Sequence, residues 1–418
     1  MMSDGERSGS HARPAHLRLV TCTGAAALAL TCMAGDAMAQ GTLVGRGTGS
    51  VGPMVEWLRL GGDGALQPGL IEGDSVRVRE GTQMSLPFAL VYPLGERVTV
   101  DMAGTYTSGE VTLEGTDPNS GRDSYSLDGL SDLRVRATGH LVGDNVIVTL
   151  GASIPTGATE LDQEQLNALR VLAAPALGFQ PPGVGLGPGG TAGVVLARQV
   201  GGWAWALAGS YELRGKYNPV AAFTAGVPAA DYNPGDAVHL SLGTDGLIGQ
   251  HAMTFTVSAD MFTRDELTTS GADVPIAAVR LGPVYGADWK LQIGTTHFRE
   301  LALYISDRYR TEYELDGATV EGSSGNYLDA GVRAVRPIGR MTDLLAGVQF
   351  RHHTGLDVDR TLATAGVAAG SATVGLSRVF GMLIVQPYVR AQVGTLDTGG
   401  DRVSLTGLGG GLAIGARF

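Results

Sequence analysis

The stretch LGGGLAIGARF, running from Leu408 to the terminal Phe418, decides the fold. Leu408, Leu412, Ile414, Ala416 and Phe418 fall on alternate positions, with Gly410 filling the one gap, so the segment reads as a strand with one apolar face. It continues to the last residue. A terminal strand of this kind needs a hydrogen-bonding partner on each side, and a wall that closes last strand onto first supplies both while leaving no edge in hydrocarbon. The rest of the chain repeats the pattern. Val98, Val100, Met102, Gly104 and Tyr106 alternate with Thr99, Asp101, Ala103 and Thr105, and Leu133, Val135, Ala137, Gly139 and Leu141 alternate with Arg134, Arg136, Thr138 and His140. The same holds for Met253 to Phe262 and for Leu383 to Val393.

Runs of this type lie near 51–60, 83–92, 96–106, 130–141, 144–154, 191–200, 203–215, 236–245, 251–262, 276–295, 300–315, 326–336, 343–352, 371–380, 383–394 and 404–418. Their lengths suit tilted strands crossing a bilayer, which need about 9 to 11 residues each. Tight connectors (93–95, 142–143, 201–202, 337–342, 381–382) alternate with longer ones (107–129, 155–190, 216–235, 263–275, 353–370, 395–403), as periplasmic turns and outer loops do. The expected fold is all-β: a transmembrane antiparallel outer-membrane β-barrel. Because Gly52 and Pro53 interrupt the first run, that run is discounted and a second must fail with it, so about 14 strands are expected within a range of roughly 12 to 16.

The N-terminus carries an export signal. Arg7, Arg13 and Arg18 precede an apolar stretch from Gly24 to Ala34, followed by the A-x-A pattern Ala37-Met38-Ala39, so residues 1–39 read as a signal peptide. Both cysteines, Cys22 and Cys32, fall inside it, leaving the exported chain without disulfides or thiolate ligands. Residues 40–82 form either a first strand or a plug within the lumen, and 83–418 the barrel. The net charge of −11 gives no general attraction for nucleic acid, which is not an expected partner. Sixty-four glycines exceed the average of about 7%, and they sit inside alternating runs and tight turns rather than in disordered tracts.

Within the longest connector, Glu160 to Ala174 is helix-prone, with Leu161, Leu169 and Leu172 on one face and acidic residues in its first turn. It either folds into the barrel mouth as a lid or packs on the rim as a surface helix.

Two stretches carry a family resemblance. SLPFALVYPLGERVTV (Ser85 to Val100) and GLSDLRVRATGHLVGDNVIVTLGASIPTG (Gly129 to Gly157) together resemble outer-membrane transporters of the phenol meta-degradation pathway type, distant relatives of the long-chain fatty-acid outer-membrane transporters. The resemblance covers residues 40 to 157. It implies that Asp132 stands where a strand begins, that Pro155-Thr156-Gly157 ends the adjacent strand at the outer rim, and that the solutes are small and often apolar or aromatic. Tyr92-Pro93 departs from the family's usual Tyr-Gly, which a position at the end of a ladder tolerates.

On a barrel wall the polar set of each strand faces inward. That places Asp101, Arg134, Arg136, His140, Asp260, Arg308, Arg310, Arg333, Arg351, Tyr388 and Arg390 in the lumen, where the arginines either present a positive wall to anionic solutes or pair with the carboxylates as ties. Trp57, Trp203, Trp205 and Trp289, with Tyr92, Tyr106, Tyr211, Tyr285 and Phe380, fall on the outer set as interfacial girdles, whereas Tyr304 shares its parity with Arg308. Leu412, Ile414, Ala416 and Phe418 resemble the signal read by the barrel-assembly machinery.

Passive passage of small solutes across the outer membrane is the expected function, with lipid, lipopolysaccharide, the assembly machinery and the solute as partners and no cofactor or metal. The alternatives are an adhesin or structural anchor, or an enzyme with a rim site at His352 and His353 near Asp357 and Asp359; His297, near Arg299 and Glu300, is a weaker candidate. No nucleophile-elbow or zinc-protease motif accompanies either histidine group, so an enzyme is not expected.

Overall fold

The computed structural model describes residues 47–61, 76–115, 121–141, 145–220, 230–269, 275–356, 362, 364–397 and 402–418, so the signal peptide expected at 1–39 lies outside the described residues. In chain order the strands begin with β1 (Thr48–Val51), β2 (Met54–Gly61), β3 (Val76–Leu94), β4 (Val98–Gly115), β5 (Arg122–Leu130), β6 (Leu133–Leu141) and β7 (Val146–Ile154). One helix, α1 (Gln163–Leu172), precedes β8 (Gly189–Val200), β9 (Trp203–Arg214), β10 (Tyr217–Val220), β11 (Ala230–Asn233), β12 (Ala237–Ile248) and β13 (His251–Phe262). Next come β14 (Arg264–Thr269), β15 (Pro275–Arg280), β16 (Val284–Gln292), β17 (Glu300–Arg310), β18 (Glu314–Leu315) and β19 (Ala318–Thr319). The chain ends with β20 (Gly325–Pro337), β21 (Thr342–His353), β22 (Gly366–Phe380), β23 (Leu383–Asp397) and β24 (Arg402–Arg417).

Eighteen of these strands form one antiparallel sheet that closes on itself. The closure is made by the stretch that opened the sequence reading. β24 pairs with β1 (Thr48↔Arg417 to Val51↔Ile414) and with β2 (Met54↔Gly411 to Gly61↔Ser404), and Gly47 and Phe418 exchange backbone hydrogen bonds of 2.9 and 3.0 Å. β1 and β2 act as one strand, because both also pair with β3 across the Gly52-Pro53 break. Pro53 lacks a donor, but its carbonyl accepts from the Leu412 amide at 2.9 Å, and the Gly52 amide donates to the Pro87 carbonyl at 3.0 Å, so the ladder bends without parting. β5 and β6 likewise share β4 as neighbour. Counted this way the wall has sixteen strands. The favoured count of fourteen was low because the Gly52-Pro53 interruption kinks the first strand and does not end it.

Parity sorts the two faces. Exposed apolar side chains such as Leu150, Leu207, Val348, Val374, Val389 and Leu408 stand on one side, and their immediate neighbours are half-buried or buried. The short connectors at one end turn on glycines: Gly95, Gly201, Gly249 and Gly381 have φ of 76°, 63°, 64° and 59°. An L side chain at those angles is strained, so these turns require glycine.

At the other end the wall is taller than the sequence suggests. The connector 107–129 is the upper half of β4 paired with β5, and β10, β11, β14, β15, β18 and β19 form a second, six-stranded sheet over β9 to β17. Breaks at Gly215, Gly235 and Gly282 separate the two tiers, and at each a Cβ would meet a backbone oxygen within 2.5 Å. The sheet steps where only bare backbone fits. In this upper tier Tyr232 donates to Asp265 at 2.6 Å, and burial together with that bond pushes its phenol well above the ordinary tyrosine range.

Candidate functional site

The connector 155–188 folds into the barrel mouth. Asp162 caps α1, accepting from the Gln165 amide at 2.8 Å, while the Gln165 side chain accepts from the Asp162 amide at 3.0 Å, a reciprocal capping box. Ala168, Val171 and Leu172 on the helix, and Ala174, Ala176, Leu177 and Phe179 after it, are buried together with Leu58, Leu60, Val78, Val111, Leu113, Leu127, Leu396, Val403 and Leu405 of the wall. The inner faces of β2 to β5 and of β22 to β24 therefore form a dry core with the loop at the outer end of the lumen. Of the two readings of the helix, folding into the mouth is the one the structure shows.

The base of the loop is held by the residues that carried the family resemblance. Asp132, 7% exposed at the β5–β6 junction, accepts from the Gly157 amide at 3.1 Å and the Leu186 amide at 2.6 Å. One carboxylate thus grips both ends. Beside it, the Thr156 hydroxyl accepts from the Leu133 amide at 3.0 Å and donates to the Ser131 carbonyl at 2.9 Å, filling the ladder where the strand is interrupted. Gly129 and Gly183 touch backbone to backbone: a Cβ on either would lie 2.3 or 2.1 Å from the other's carbonyl oxygen. Further in, the Gln83 side chain donates to the Gln180 carbonyl at 3.0 Å, and the Thr107 hydroxyl accepts from the Gly183 amide. These ties come from β3, β4 and the β5–β6 junction. From β21, Arg351 donates through Nη2 to the carbonyls of Ala176 and Leu177, both at 3.2 Å.

Register places the remaining inner-set residues on the face opposite the exposed apolar side chains. Arg136 donates from Nε to both Asp101 oxygens at 3.1 and 3.0 Å. Arg308 pairs with Asp288 at 2.7 Å, and Ser306 donates to the same carboxylate at 2.7 Å. Arg390 lies 3.5 Å from Glu56 and donates to Gln349 at 3.4 Å, while Gln349 donates to Asp329 at 3.3 Å, so a chain of polar contacts crosses β2, β23, β21 and β20. Asp260 meets His239 at 2.8 Å, and the other ring nitrogen of His239 meets Glu212 at 3.3 Å. Tyr388 packs beneath Gly411. Arg333 and His140 share this face, and Tyr304 lies under Gly331 on the same side. Arg310 keeps a buried Nε without a hydrogen-bond partner, and Arg134 has no ion pair among the described residues.

Most of the inner arginines are thus tied to carboxylates or carbonyls. Glu56 and Asp288, which pair with these arginines, and Asp329, Glu212 and His239, which complete the other inner contacts, were not singled out from the sequence, although each shares the inward parity of its strand. At the top of the wall, hydrogen bonds from Arg79 and Arg122 hold the Glu114 carboxyl below the ordinary glutamate range.

The histidine rim site does not assemble. His352 stands on the outer face stacked on Phe350, with ring centroids 6.4 Å apart and 11° between planes, whereas His353 is buried on the inner face, edge-on to Tyr327 at 4.6 Å. Adjacent strand residues point to opposite faces, so the two imidazoles cannot share a ligand. Asp357 and Asp359 lie outside the described residues. His297 sits in a short connector, its amide donating to the Thr295 hydroxyl at 3.0 Å.

No protein-family model matches the chain, and no curated protein matches it. Among solved structures it is similar to the COG4313 outer membrane channel from Pseudomonas putida F1, at 13% identity and TM-score 0.35, covering 90% of this chain and 97% of that one. It is also similar to Pseudomonas putida OprB, at 10% identity and TM-score 0.45, covering 89% and 94%. A deltaS2 mutant of the TodX monoaromatic hydrocarbon channel has 10% identity and TM-score 0.46, covering 89% and 90%. At these values the fold rests on the chain's own strand pairing.

Proposed function

We propose that this chain is an outer-membrane channel for the passive passage of small solutes, with aromatic and anionic compounds the favoured class. The observation that carries this reading is the closed sixteen-strand wall, whose outer face presents apolar side chains and whose inner face presents arginines, carboxylates and amides. A wall of that polarity is stable only with hydrocarbon outside and an aqueous or protein-filled interior. The solved channels to which the chain is similar agree in kind. An anchor or adhesin would need no polar interior organised beneath an inserted loop, and the rim histidines face apart.

The test is reconstitution. Liposomes holding the folded chain are expected to admit benzoate faster than a disaccharide, and vesicles that admit neither would overturn the channel reading. Arg134 tests the lining separately. Since it has no ion pair among the described residues, Arg134→Glu is expected to lower the anion-to-cation permeability ratio in planar bilayers about two- to threefold. An unchanged ratio would show that this arginine does not face the conduction path. Arg136→Glu should do more harm to the wall itself, because it sets two carboxylates against each other at the Asp101 pair.

A further inference from the structure

We propose that Arg351 is a carboxylate site and also the latch of the inserted loop, so that a small organic carboxylate in the lumen displaces the loop from it; this rests on the channel reading above. The loop is attached unevenly. Gln83, Thr107 and Asp132 hold it close to where it leaves and rejoins the wall, whereas Arg351 holds it from β21 with the only side-chain hydrogen bonds that reach it from the far part of the wall among the described residues. On that far side the other contacts are apolar packing against β22 to β24, so Arg351 is the loop's one polar tie there among the described residues, and a better partner for it loosens that side.

Arg351 closes no pair with a carboxylate among the described residues. Its two hydrogen bonds both leave from Nη2 and both end on neutral carbonyls, while Asp329, its cross-strand neighbour, accepts from Gln349 instead. Arg136, Arg308 and Arg390 on the same inner face each have a carboxylate within ion-pair distance. A carboxylate takes a guanidinium in a two-pronged, charge-assisted pair that single carbonyls cannot match. The loop also blocks the site. Gly178, at φ 71°, lies so close that a Cβ there would fall 1.5 Å from Arg351 Nη1, so the guanidinium is seated against bare backbone. An incoming carboxylate therefore replaces the loop at Nη1 and Nη2 and does not join it. Because it binds only the released arrangement, it shifts the population toward an open mouth.

The experiment uses the full exported chain, folded as judged by its heat-dependent electrophoretic shift, in planar bilayers at low salt, with benzoate as probe and benzyl alcohol as the uncharged ring control. Benzoate is expected to raise parent conductance about fivefold or more, and benzyl alcohol to leave it unchanged. Arg351→Gln is expected to conduct at the raised level without benzoate, and Arg351→Lys, which keeps the charge but not the fork, to respond weakly. Trypsin gives a second readout. Arg170 is the single lysine or arginine between residues 155 and 188, so cleavage after it reports release of the loop; it is expected in the parent only with benzoate and in Arg351→Gln without it.

Equal responses to benzoate and benzyl alcohol, or a folded Arg351→Gln that stays as closed and as benzoate-sensitive as the parent, would overturn the latch and leave the channel standing. Folded parent and variant that never conduct would overturn the channel reading and the latch with it. Should Arg351→Gln fail to fold, the parent's choice between the two probes still decides.

Discussion

Replacing Asp132 with alanine is expected to leave the sixteen-strand wall closed and to free the loop inside it. The carboxylate is buried and accepts from the Gly157 and Leu186 amides, so its loss removes two charge-assisted bonds and strands two donors. The expected cost is about 2 to 4 kcal/mol of local stability, felt as opening of the loop and not as unfolding of the barrel. Hydrogen exchange in detergent checks this: amides of residues 163–172 should exchange about 30 to 1,000 times faster, while those of β12 and β13 should not change. Asp132→Asn keeps one acceptor but sets its NH2 donor against the second amide, so it is expected to free the loop as well, by a smaller margin because one of the two bonds survives. Unaltered exchange in α1 for Asp132→Ala would mean that the apolar core alone seats the loop.

Replacing Phe418 with aspartate is expected to cut the yield of folded barrel in the membrane by roughly tenfold while secretion proceeds, because it puts a charge on the outer, apolar face of the closing strand. Phe418 exchanges backbone bonds with Gly47, and its ring lies where a side chain at 47 would stand. The last strand pairs with β1, β2 and β23, so a defect there is carried by both sides of the seam. Counting the heat-shifted band against total exported protein measures the effect. Equal folded yields for variant and parent would remove the assembly role proposed for Leu412, Ile414, Ala416 and Phe418.

Much of the wall was legible because two-residue periodicity is local. Each of the sixteen alternating runs corresponds to a strand of the closed sheet. The first run looked weakest because Gly52-Pro53 breaks the pattern, yet pairing on both sides carries the strand through. The upper tier was hidden for the opposite reason. Its strands are two to six residues long, too short for alternation to stand out, and they exist because neighbouring segments pair with one another. The grip of Asp132 was illegible as geometry, since its partners are backbone amides at Gly157 and Leu186 that no residue type reveals. What the sequence offered was the GLSDL and PTG pair that carried the resemblance, and the structure shows what the pair touches. The side of the wall that receives the helix was equally hidden, because Val111, Leu127 and Leu405 look like any other inward residues until the loop covers them.

A single acid group that clasps the entry and the exit of a long segment makes that segment an exchangeable cassette. Everything between Gly157 and Leu186 starts and finishes at one point on the rim, so its length and chemistry can change without disturbing the register of β7 against β8. Grafting a different insert between those two amides should therefore retune which solutes get through, provided the insert still covers the apolar inner faces of β2 to β5 and β22 to β24.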